Sequence, residues 1–115
     1  MVIKRAGVHL ICEFWEVQCI DSNPKKILKI LKDAAKASGS KVIGENFHQF
    51  QPYGFTAIVL LAESHLSLHY WPEYNYLAVD IFTCGKTKPY KALKVLKENF
   101  KPKKVQILDL KRGVR

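Results

Sequence analysis

The sequence predicts an α+β two-layer sandwich: a mainly antiparallel sheet with two helices on one face. Two segments repeat apolar residues at helical spacing, with lysines filling the positions between. Several stretches rich in β-branched and aromatic residues follow one another across short Pro, Gly or Asn turns, the pattern of hairpins. These strands come as a block between the helices rather than alternating with them one by one, which favours antiparallel pairing.

In chain order, His9 to Gln18 mixes β-branched, aromatic and alternating residues and reads as a strand. Asn23-Pro24 then opens a helix, with Asn as N-cap and Pro at the first helical position. Ile27, Ile30, Leu31, Ala34 and Ala35 form its apolar stripe, and Gly39 stands where a C-terminal glycine cap belongs. Lys41 to Phe50 is a less regular strand, ended by the turn signal Pro52-Tyr53-Gly54. Phe55 to Ala62 is almost wholly apolar, as expected of a strand buried on both faces. His65 to Trp71 alternates, with His65, Ser67, His69 and Trp71 on one side and Leu66, Leu68 and Tyr70 on the other. Pro72 to Asn75 makes a turn, and Tyr76 to Thr83 returns as a strand. Pro89 starts a second helix with Tyr90, Leu93, Leu96 and Phe100 inward, and Pro102 stops it. Val105 to Leu110 is the last strand. One sheet face is left for something other than a helix to cover.

A chain of 115 residues with no long linker and no repeat reads as one domain, 1–115, with a modest core. It is 48% hydrophobic, which places it with globular proteins. No apolar run approaches the ~20 residues of a membrane span, and the first residues lack the apolar core of a secretory signal. Cys12, Cys19 and Cys84 are odd in number with no C-x-x-C pair, so neither a disulfide framework nor a zinc site is expected. Cys12 and Cys19 read as buried apolar thiols, and a reduced, cytoplasmic setting fits the set. The net charge of +9 suggests polyanion binding. The lysines, however, are spread over both helices and the C-terminal stretch rather than gathered with aromatics into one stripe. A solvated surface is the better reading, so no nucleic-acid partner is expected.

The densest chemistry lies in Glu63 to Gly85, ESHLSLHYWPEYNYLAVDIFTCG. Glu-Ser-His, His-x-Trp-Pro-Glu and Phe-Thr-Cys-Gly occur there in that order. In combination and spacing they resemble the core motif of the prokaryotic S-adenosylmethionine decarboxylases, enzymes that make their own pyruvoyl cofactor. Weaker similarity runs from His9 to about Gly113. The resemblance implies self-cleavage at Glu63-Ser64, giving a β chain 1–63 and an α chain 64–115 that begins with the pyruvoyl group. Attack of the Ser64 hydroxyl on the Glu63 carbonyl turns the amide into an ester. Loss of the serine α-proton expels the Glu63 carboxylate, and the dehydroalanine hydrolyses to pyruvoyl and ammonia.

By the same resemblance His69 takes the α-proton during processing, and Thr56 stands where relatives carry an assisting serine. Cys84 is the proton donor after carbon dioxide leaves. Phe50 and Trp71 match stacking positions for adenine, Glu73 the ribose-binding carboxylate, and Leu66 a pocket wall. The pyruvoyl carbonyl would condense with the substrate's amine. The resemblance also implies a dimer that packs sheet on sheet in an αββα arrangement.

Strand geometry adds one constraint of its own. Ser64 and His69 are five extended residues apart, roughly 16 Å, and an odd offset sets them on opposite faces. A general base must come within ~3 Å of its proton. The expectation is therefore a site shared between two copies, Ser64 and Cys84 from one and His69 from the other. The same ruler puts His65 and His69 about 13 Å apart, too far to share a metal ion. A pyruvoyl-dependent arginine or ornithine decarboxylase is the alternative reading. Phe50, Trp71 and Glu73 together favour the nucleoside substrate, since a plain amino acid needs no ribose acid. A basic nucleic-acid-binding module is a remoter alternative, and without a G-x-S-x-G elbow a serine hydrolase fits poorly.

Overall fold

The computed structural model describes residues 5–18 and 20–114, so the expectation for Cys19 lies outside the described residues. The elements are β1 (Gly7–Trp15), α1 (Pro24–Ser38), β2 (Val42–Gln49), β3 (Phe55–Leu61), β4 (His65–Trp71), β5 (Tyr76–Cys84), α2 (Pro89–Phe100) and β6 (Lys104–Arg112). A short 3-10 turn, Pro72–Tyr74, joins β4 to β5. The strands form one six-stranded sheet in the order β2-β3-β4-β5-β1-β6, and every neighbouring pair is antiparallel. The expected α+β two-layer sandwich is the observed fold.

Local signals explain the helix ends. The Asn23 side chain accepts a hydrogen bond from the Lys25 backbone N–H at 2.9 Å, so one of the first-turn donors is satisfied. Gly39 takes the left-handed conformation, φ 85°, that closes α1, and its N–H bonds back to the last turn. In α2, Pro89 occupies the start, where its missing N–H costs nothing, and Pro102 lies just past the end.

Both helices pack against each other and against one sheet face. Ile27, Leu31, Ala34 and Ala35 of α1 and Ala92, Leu93, Leu96 and Phe100 of α2 are buried there. They meet Leu10, Cys12 and Phe14 of β1, Ala57 and Val59 of β3, Leu66 and Leu68 of β4, and Leu77, Val79 and Ile81 of β5. Each buried aliphatic or aromatic side chain contributes about 1.5–3 kcal/mol relative to exposure, so this layer supplies most of the driving force for folding.

Two expectations need correction. Phe55–Leu61 is buried on one face only: Phe55, Ala57, Val59 and Leu61 are sealed, while Leu60 is 50% exposed. The helices cover a single face, and the apolar residues of the other stand open. Tyr90 does not face inward but is 52% exposed, its hydroxyl donating to Asp109 Oδ2 of β6 at 2.7 Å. Ala92 takes the inward place, since the helical stripe runs through Pro89, Ala92, Leu93 and Leu96. No helix among the described residues is long and apolar enough to cross a membrane.

Candidate active site

The strand register sorts the chemistry onto the open face. Thr56 faces His69 across β3 and β4, while His65 faces Phe82 and Ser67 faces Asp80 across β4 and β5. His9 faces Phe82, and Gly7 faces Cys84, across β1 and β5. Period-two alternation therefore sets Thr56, His65, Ser67, His69, Trp71, Asp80 and Cys84 on one side, and the buried leucines on the other. Leu66, expected at a pocket wall, is fully buried on the helix side, so its side chain belongs to the core.

Glu63 and Ser64 lie at the β3–β4 turn. Leu61 N–H donates to Ser64 O at 2.9 Å, and Ser64 N–H donates to Leu61 O at 3.4 Å. Ala62 and Glu63 are thus the two residues of a tight hairpin connection, and the Glu63-Ser64 peptide forms its exit. Glu63 lines a cavity of about 760 Å³ together with Cys84, Gly85, Arg5, Lys86 and Lys111. Cys84 is the last residue of β5, and Gly85 N–H donates to Ala6 O at 3.0 Å, which fixes the chain just beyond it. The residues expected to cut the chain and to return a proton therefore share one end of the sheet.

The other expected residues share the opposite end. Thr56, His69, Phe50, Trp71 and Glu73 line a second cavity of about 310 Å³. Thr56 Oγ1 and His69 Nδ1 are 2.9 Å apart, a hydrogen bond that orients the ring. Trp71 stacks on Tyr76, whose ring stacks in turn on Trp15, with centroids 5.5 Å and 4.4 Å apart. Phe50 is exposed and meets His48 edge-on. The Tyr76 hydroxyl donates to Glu13 Oε1 at 2.6 Å, and burial together with that carboxylate raises its pKa far above the ordinary phenol range. His69 and Ser64 sit at opposite ends of β4, so one chain does not bring base and serine together.

Between the two ends runs a polar chain that the sequence did not announce. His9 Nε2 lies 3.0 Å from Asp80 Oδ1, and Arg112 Nη1 lies 3.2 Å from His9 Nδ1. The His9 ring thus bridges the Arg112 guanidinium and the Asp80 carboxylate. Arg112 also lies over the Phe82 ring, 5.1 Å from its centroid. His65 packs edge-on against both His9 and Phe82. Burial, then the neighbouring His9 and Arg112, lower the His65 pKa, against the pull of Asp80. His9 is 71 positions from Asp80 and 103 from Arg112, so only the β1 register could have revealed these contacts. No group of three or more His, Cys, Asp or Glu side chains is placed to hold a metal ion among the described residues.

Comparison with known proteins gives the family. The family model described as S-adenosylmethionine decarboxylase matches residues 8–113. The chain belongs to the S-adenosylmethionine decarboxylase family. It is 42% identical over 115 residues to a Methanococcus maripaludis protein named S-adenosylmethionine decarboxylase proenzyme, covering 97% of this chain and 93% of that one. A Thermotoga maritima protein of the same name is 42% identical over 114 residues, covering 96% and 87%. Among solved structures, the adenosylmethionine decarboxylase from Aquifex aeolicus superposes with a TM-score of 0.83 at 32% identity, covering 97% of this chain and 94% of that one. Family membership thus rests on both sequence and fold over nearly the whole chain.

Proposed function

We propose that this protein is a self-processing S-adenosylmethionine decarboxylase whose site is completed by two copies of the chain, and that its product is the aminopropyl donor for spermidine synthesis. One observation carries the shared site. Glu63 and Cys84 line one cavity, while Thr56, His69, Phe50, Trp71 and Glu73 line another at the far end of the same strands. Two sheets laid open face to open face and antiparallel would set each end against its complement. The apolar side chains left open there, among them Leu60, Leu108 and Leu110, favour such a cover.

The Ser64 position suits formation of a pyruvoyl group, since it leaves a two-residue turn beside the cavity lined by Glu63 and Cys84. In self-cleavage the Ser64 hydroxyl adds to the Glu63 carbonyl carbon, and the C–N bond yields to an ester. His69 of the second copy removes the Ser64 α-proton at Nε2. For that, Nδ1 carries its proton toward Thr56 Oγ1, which leaves the Nε2 lone pair free. The Glu63 carboxylate departs, and hydrolysis releases ammonia.

When formed, the pyruvoyl group supplies a carbonyl that joins the substrate's amine and accepts the electrons freed as carbon dioxide leaves. Trp71 and Phe50 offer flat faces to an adenine, and a cationic sulfonium is favoured beside such rings. Glu73 lines the same cavity, and in this reading its carboxylate accepts hydrogen bonds from the ribose hydroxyls. Cys84 returns a proton from Sγ to the substrate carbon that has lost its carboxylate.

Two measurements test this. Intact mass of the purified protein should show fragments 1–63 and 64–115, the second with a keto terminus, and labelled carbon dioxide should be released from S-adenosylmethionine but not from arginine or ornithine. Mixing Ser64→Ala with His69→Ala chains should restore cleavage of the His69→Ala chain alone. A mixture in which neither chain is ever cut would rule out the shared site.

A further inference from the structure

Thr83 stands between Phe82 and Cys84 near the end of β5, and its side chain is fully buried on the helix-covered face. Its Oγ1 has no hydrogen-bond partner among the described residues. The other buried hydroxyls do have partners: Ser38 Oγ donates to Ala35 O at 2.7 Å, and Ser67 Oγ points at Asp80 Oδ2. An unpaired buried hydroxyl costs about 1–3 kcal/mol, and a valine would fill the same volume without that cost. The position therefore asks for a use in a state other than the resting one.

The register supplies one. His65 faces Phe82 and Leu66 faces Ile81 in the β4–β5 ladder. The ladder itself ends at His65 and Phe82, and the same register carried one step into the turn would set Ser64 opposite Thr83. Facing residues of an antiparallel pair hold their Cβ atoms about 4.5–5.5 Å apart, so a rotation about the Cα–Cβ bond would bring the Thr83 hydroxyl toward the Glu63-Ser64 peptide group. The Thr83 backbone cannot drift away. On its other side it pairs with Val8, and a Cβ at position 7 would come within 2.2 Å of the Thr83 carbonyl oxygen, so Gly7 lets β1 close tightly against it.

We propose that Thr83 is a catalytic residue of the self-cleavage, donating a hydrogen bond to the Glu63 carbonyl oxygen as the Ser64 hydroxyl adds to the carbon. The inference rests on the self-processing reading above. In this step the Ser64 Oγ–C bond forms, the C–N bond breaks, and the hydroxyl proton passes to the nitrogen. Thr83 keeps its own proton throughout and stabilises the charge that builds on oxygen. It differs from the Thr56–His69 pair, which acts on the later α-proton from the other end of a second copy.

The test follows cleavage over time by intact mass in the full-length Thr83→Val, Thr83→Ala and Thr83→Ser chains. Loss of a single donor to a developing oxyanion costs about 10²–10³ in rate, so Thr83→Val and Thr83→Ala should both slow cleavage by about that factor, and Thr83→Ser should recover most of it. The thermal midpoint of Thr83→Val should equal or exceed that of the unaltered chain, because the orphaned hydroxyl is gone. Hydroxylamine gives a second readout. It should trap the Glu63 ester in His69→Ala and fail to do so in His69→Ala combined with Thr83→Val. Thr83→Val and Thr83→Ala chains that cut within twofold of the unaltered rate overturn the role of Thr83 while leaving self-processing intact. An unaltered chain that stays whole takes down both.

Discussion

The two faces of this sheet are built from the same strands and behave as different materials. On the helix-covered face Leu10, Phe14, Ala57, Val59, Leu66, Leu68, Leu77 and Ile81 are sealed from solvent without a charged group among them. On the other face lie the hydrogen-bonded pairs His9–Asp80, Thr56–His69 and Tyr76–Glu13, the rings of His65 and Trp71 packed against aromatic neighbours, and Leu60 and Leu108 half exposed beside them. Alternation along each strand lets one residue hold the fold while its neighbour is free for chemistry. Stability and reactivity are thereby separated by a single peptide unit, and substitutions on the two faces should fail in different ways.

The sharpest break should come from Ser64→Ala. It removes one oxygen from a turn, should leave the melting temperature within a few degrees, and should abolish both the 1–63 and 64–115 fragments and all carbon dioxide release. A variant that still yields both fragments would move the cut elsewhere. On the sealed face, Leu68→Ala should cost about 2–5 kcal/mol in urea unfolding, the usual range for a buried leucine. Leu60→Ala, on the open face, should change the stability of a single chain by well under about 1 kcal/mol and instead weaken self-association, as sedimentation would show. Equal losses for the two leucines would erase the distinction between the faces.

Smaller effects test the open face in detail. Trp71→Ala removes one member of a three-ring stack and should lower kcat/KM for S-adenosylmethionine by about tenfold, the equivalent of ~1.4 kcal/mol, with cleavage intact. Of the two thiols described, Cys12 is buried and pushed up to about 12, first by burial and then by Asp80 and Glu13. At pH 8 iodoacetamide should modify Cys84, which stands at a cavity wall, while the peptide carrying Cys12 stays unmodified until the fold opens.

The mildest effect concerns His65, whose pKa is lowered. The folded state holds this ring neutral more strongly than the unfolded state does. Its contribution is thus complete above the ordinary histidine range, about 6.5, and is lost as pH falls through the lowered value. His65→Gln should flatten the acid side of a stability–pH curve, and an unchanged slope would show that the ring carries no such linkage.

Much of this was legible in the residues. Asn23-Pro24 and Gly39 mark the ends of α1 because capping is local chemistry, and the alternation of His65 to Trp71 gave β4 its limits. Where reading failed, the deciding partner was distant in sequence. The apolar run Phe55 to Ala62 suggested burial on both faces, yet which faces are covered depends on where the helices dock. Tyr90 fits an inward stripe by spacing, but the docked helix turns Pro89, Ala92, Leu93 and Leu96 to the sheet and leaves Tyr90 outside, where it meets Asp109, nineteen positions away. Leu66 could be placed in the core only once β4 had a helix side. The His9–Asp80–Arg112 chain needed β1 to enter between β5 and β6, a pairing that no local pattern encodes.

That insertion of β1 has a consequence for the proposed cleavage. A break after Glu63 leaves β1, β2 and β3 in one piece and β4, β5 and β6 in the other, yet β1 is laddered on both sides to strands of the second piece. Fragments made by the proposed cut would be woven rather than abutted. Neither could leave without unzipping twenty-four backbone pairings, nine with β5, nine with β6 and six between β3 and β4, so such a cut would sacrifice the continuity of the polymer and keep its architecture. The two products should travel together through a native gel and part only in denaturant.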